Sequence, residues 1–90
     1  PQGAYFFADH ALLQVPAPTI AVRDTIGAGD NFHAALALAL SRGQDLAEAV
    51  CLAVAVASLS CRDHGGRNGI PTLEEARSLA ATLAPRPFAP

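Results

Sequence analysis

The pattern of this chain changes at Gly27-Ala28-Gly29-Asp30. The residues before it fall into short β-prone runs, and those after it carry a helical period. A glycine-bearing turn at a strand-to-helix change places a carboxylate at the mouth of a helix, where unpaired N–H groups attract anions. This constrains the fold to α/β and locates the chemistry at one junction.

Upstream, Gly3 to Phe7 and Leu12 to Val15 are apolar runs separated by Ala8-Asp9-His10-Ala11, which predicts a β-hairpin. Pro16-Ala17-Pro18 forbids helix and ends central strand pairing. Thr19-Ile20-Ala21-Val22 is a β-prone run that reads as a buried strand leading to Asp24.

Downstream, Ala28 to Ser41 is rich in Ala and Leu, with Phe32, Leu36 and Leu40 placed to form one stripe. Arg42-Gly43 suits a helix end. Asp45 and Glu48 form a capping-box pattern before a second helix to about Leu59, apolar nearly all round and so expected to be buried from both sides. Residues 61–69 read as a polar, glycine-rich loop. Thr72 with Glu75 is the clearest capping box and opens a third helix to about Leu83. Ala84 to Pro90 is a Pro-rich tail that cannot continue a helix.

Composition adds a size argument. Ninety residues allow one domain, and 51% of them are apolar while only 16% are charged. Such a chain has more surface to bury than a domain of this size hides, so some helical faces expect a partner. That partner is missing chain, a second subunit, or both, and a homodimer of the full-length protein is one form of it. With six Arg, no Lys and a net charge of −2 there is no basic patch for nucleic acid or an anionic membrane. Cys51 and Cys61 fit neither a metal nor a disulfide spacing and read as buried free thiols of a soluble, cytoplasmic protein. His10, His33 and His64 have no ligand-like spacing, and Asp63-His64 has no nucleophile in an elbow context.

The turn itself excludes two phosphate motifs. Gly29 is followed by Asp30-Asn31 rather than the Lys-Ser/Thr of a Walker A loop, and Phe32 stands where the Rossmann fingerprint needs Gly or Ala. What remains is an anion cradle with its own carboxylate, able to take a proton from an attacking hydroxyl. On local chemistry alone, the favoured reading of Asp30 is a helix-start residue that contributes about 1 kcal/mol as a cap.

Asp24-Thr25-Ile26-Gly27-Ala28-Gly29-Asp30-Asn31-Phe32 closely resembles the carboxy-terminal signature of the ribokinase-like (PfkB) carbohydrate kinases, D-T-x-G-A-G-D-x-F. The lead-in hairpin, the Ala-rich helix and Gly69-Ile70-Pro71-Thr72 agree in order and spacing, from Gly3 to Leu83. The resemblance implies the carboxy-terminal part of a three-layer α/β/α sandwich, with residues 1–90 a partial kinase domain and 84–90 its tail. It implies ATP-dependent phosphorylation of a sugar or related hydroxyl with Mg²⁺, Asp30 as the base, and Gly27, Ala28 and Gly29 as the anion hole. It also implies a monovalent cation, K⁺, near the Asp24 carboxylate and the Ile26 carbonyl, and places Arg62 to Gly66 near the nucleotide. Ala34 departs from the family's common Gly and implies looser helix packing. Family members are roughly three times this length, so the 90 residues alone are expected to be inactive. The competing readings are a non-catalytic nucleotide- or sugar-binding module with a regulatory role, and a purely structural helical domain.

Overall fold

The computed structural model describes residues 3–8, 11–18, 28–60 and 72–87. One helix packs against a face of a small antiparallel sheet, and two further helices pack on that helix. Strands β1 (Ala4–Ala8) and β2 (Ala11–Val15) pair from Ala4 opposite Val15 to Ala8 opposite Ala11, as the hairpin reading predicts. Because side chains alternate along a strand, this register collects Ala4, Phe6, Ala8, Leu13 and Val15 on one face. That face joins Val50, Cys51 and Val54 in the core, while Phe7 on the other face is 72% exposed.

A third strand, β3 (Arg86–Pro87), pairs antiparallel with β2, so β2 is central. The described part of the Pro-rich tail is not helical, as expected, and it returns to the sheet. Proline tolerates an edge strand because its missing donor can face away from the ladder. Here Gln14 is the bridge: its Nε2 donates to the Tyr5 hydroxyl and its Oε1 accepts from Arg86 Nη2, both at 3.4 Å.

Helix α1 (Ala28–Ser41) has the predicted bounds and ends as its residues dictate. Gly43 takes φ +83°, its N–H bonds to the Leu40 carbonyl, and the Gln44 N–H reaches back to Ala39. This closed, left-handed end needs no Cβ and satisfies carbonyls that the helix leaves unpaired. The predicted apolar stripe needs one correction. Phe32 and Leu36 pack on the core, whereas Leu40 is 44% exposed and Ala39 is 2% exposed. At 3.6 residues per turn Leu40 lies about 80° round from Phe32, and Ala39 only about 20°. Ala34 lies on the exposed side of α1.

Asp45 turns the chain into α2 (Leu46–Ser60): its Oδ1 accepts from the Glu48 N–H at 2.8 Å, and its carbonyl from the Ala49 N–H. From Ala49 to Ser60 no residue is exposed, as a helix apolar nearly all round should be. Burial pushes the Cys51 thiol up from its ordinary range, and the Asp45 carboxylate acts in the same direction. Cys51 is a free, buried thiol as predicted; Cys61 lies outside the described residues.

Thr72 caps α3 (Leu73–Ala80) through the full reciprocal box, Glu75 N–H to Thr72 Oγ1 at 3.1 Å and Thr72 N–H to Glu75 Oε1 at 2.9 Å. The helix stops short of the predicted Leu83. Thr82 and Leu83 bond instead to the carbonyls three residues back, a tighter turn that swings the chain toward β3. Thr72→Ala removes the cap acceptor, and urea unfolding is expected to show a loss of about 1 kcal/mol. The predicted strand 19–22 and the loop 61–69 lie outside the described residues. Among the described residues no helix is long and apolar enough to cross a membrane.

Candidate active site

Helix α1 begins at Ala28, and its first turn holds Gly29 and Asp30. The first N–H groups of any helix have no partner within it, so this turn presents donors outward. Among the described residues, a Cβ added at Gly29 would meet nothing within 4 Å. Asp30 is exposed on the same turn, the acidic residue at the positive end of the helix. Donors and a proton acceptor are thus supplied by consecutive residues. Of the other predicted site residues, Asp24, Ile26 and Gly27 lie outside the described residues, as do Arg62 to Gly66.

The turn is held by contacts that its local pattern does not reveal. Phe32 packs against the core beneath it and meets His33 edge-on, with ring centroids 5.6 Å apart. Asn31 Nδ2 donates to Ser60 Oγ at 2.9 Å, and Ser60 Oγ donates in turn to the Val56 carbonyl at 2.7 Å. Ser60, 1% exposed, is the last residue of α2, so the hairpin of α1 and α2 brings its two open ends together beside Asp30. A polar residue following the Gly-x-Gly-Asp turn and a serine at a helix end were the available signals. Neither identifies the other at a separation of 29 residues.

The sequence pattern of the pfkB family carbohydrate kinases matches residues 1–73. The chain belongs to that family. Ribokinase of Bacillus subtilis is 38% identical over 78 residues, a match covering 87% of this chain and 27% of that protein. Among solved structures, this pfkB-family chain resembles ribokinase of Thermotoga maritima with a TM-score of 0.79 and 31% identity, over 89% of this chain and 27% of the other. It also resembles Escherichia coli phosphofructokinase-2 in complex with potassium, with a TM-score of 0.77 and 29% identity, over 91% and 26% of the two chains. The chain therefore has the fold of part of these enzymes and spans about a quarter of the length of the relatives it matches. Among the described residues no group of three or more His, Cys, Asp or Glu side chains could hold a metal ion.

Proposed function

We propose that the chain supplies the proton acceptor and the anion hole of a carbohydrate kinase that phosphorylates a hydroxyl of a sugar or related small molecule. The observation that carries this reading is the exposed Asp30 carboxylate on the first turn of α1, beside a glycine at which an added Cβ would meet none of the described residues within 4 Å. Asp30 takes the proton of the attacking hydroxyl as the new O–P bond forms and the bond from the γ-phosphorus to the bridging oxygen breaks, so that ADP leaves. The backbone N–H groups of Gly27, Ala28 and Gly29 donate to the oxygens of the phosphoryl group in flight, where charge gathers in the transition state. ATP with Mg²⁺ would supply the phosphoryl group and neutralise part of its charge. A glycine at this helix start suits a phosphate, because it adds no side chain beside the donors of the first turn. Asp24 and the Ile26 carbonyl are assigned to K⁺, a reading supported by the potassium complex of the Escherichia coli relative.

The test is ATP-dependent phosphorylation by the full-length protein across pentoses, hexoses and their phosphates, with ribose first because the Bacillus subtilis relative is a ribokinase. Turnover of at least one sugar is expected, rising with K⁺, and none from the isolated 90 residues. Ligand binding without turnover by the full-length protein would favour the regulatory module instead.

A further inference from the structure

Asp30 is useful as a base only if the first turn of α1 holds one rotation about its axis. A helix start is the part most prone to fray, because its N–H groups lack intrahelical partners. Phe32 anchors this turn to the core by apolar packing, which resists separation but directs nothing. The Asn31 to Ser60 hydrogen bond is directional. Asn31 sits about 100° round the helix from Asp30, so fixing its amide fixes the arc along which the carboxylate emerges.

The chemistry of Ser60 makes this bond specific. Its one proton goes to the Val56 carbonyl, four residues back, which leaves only lone pairs for Asn31. Asn31 must therefore present its amide as a donor, and a carboxylate or an alkyl group cannot replace it. Ser60 is buried at the end of α2, so no bulk water competes for its oxygen.

We propose that Asn31 and Ser60 form a positioning pair that aims the Asp30 carboxylate and locks the start of α1 to the end of α2. This deepens the kinase reading and rests on Asp30 being the base.

The test uses the full-length protein with Asn31→Ala, Ser60→Ala, the double variant and Ser60→Cys, assayed beside Asp30→Asn where circular dichroism shows each variant folded. Each single Ala variant lowers kcat about 10- to 100-fold, the scale of a misplaced reacting group. KM for sugar and for ATP stays within about twofold, as for an interaction felt mainly in the transition state. The double variant is no worse than the poorer single one, because both remove the same bond. Ser60→Cys, which keeps a weak acceptor, recovers part of the rate. A loss of folded enzyme alone lowers the active fraction in proportion to the unfolding seen by circular dichroism, whereas here kcat per folded enzyme falls with KM retained. Should Ser60→Ala fail to fold, Asn31→Ala with its KM-against-kcat split carries the test.

Wild-type kcat in the Ala variants while Asp30→Asn is inactive would overturn the pair and leave the base intact. Losses that multiply in the double variant, or a KM that rises in step with the fall in kcat, would overturn it as well. An Asp30→Asn enzyme with unchanged turnover would overturn the base, and the pair with it.

Discussion

Asp30→Asn in the full-length protein is expected to lower kcat about 10²- to 10⁴-fold, the usual contribution of a positioned general base. The substitution keeps the size and planar shape of the side chain but removes its negative charge and its ability to accept the proton, putting a donor NH₂ in place of one acceptor oxygen. Its structural cost is small by comparison. An acidic residue on an exposed first turn adds about 0.3–1 kcal/mol through the helix dipole, whereas the kinetic loss corresponds to about 3–5 kcal/mol of barrier. Lowered stability therefore cannot imitate the effect in a folded sample. Steady-state kinetics with retained KM for ATP would confirm that the cradle survives without its base. An unchanged kcat would reject Asp30 in that role and return it to being a helix-start residue.

The largest structural effect is expected at Gly3. Its φ of +89° lies where L side chains rarely go, and a Cβ there would be driven into the Val15 carbonyl oxygen, with the Ala17 nitrogen at 2.8 Å and the Pro16 carbonyl carbon at 2.9 Å. All three atoms are backbone, so no side-chain rotation relieves the clash. Val15 is 0% exposed and pairs with Ala4, so any shift at this end of the hairpin disturbs the core face of β2. Gly3→Ala should cost about 2–4 kcal/mol, of which the backbone conformation alone accounts for about 1–2. Gly43→Ala provides the comparison: φ is +83° there, but an added Cβ meets nothing within 4 Å. Denaturant unfolding of the two variants in the full-length protein separates conformational strain from collision. Equal losses would show that the hairpin end relaxes around the new methyl.

What could be read directly from the residues was local. The boundary at Ala28, the box of Asp45 with Glu48 and that of Thr72 with Glu75 each lie within one turn of chain, and each appears as predicted. The hairpin was equally legible, because two short apolar runs around a polar gap have few other ways to pair. The end of α3 was not, since Leu79 to Leu83 favours helix until the chain must turn back toward β2. Leu40 misled for a related reason: apolar character marks a wish for burial, and the angle at which α1 meets α2 decides which side receives it.

The Gly27-Ala28-Gly29-Asp30 junction shows the same division. The sequence by itself determined that a carboxylate stands on the first turn of a helix beside a glycine, because the change to a helical period at that point fixes where the helix starts. It also carried the signature that places the chain among the pfkB family carbohydrate kinases. Only the tertiary structure decided what braces that turn, with Phe32 on the core and Asn31 on a serine 29 residues away. A hydrogen bond between distant residues leaves no trace in the pattern around either one; it exists because packing brings the open ends of two helices together.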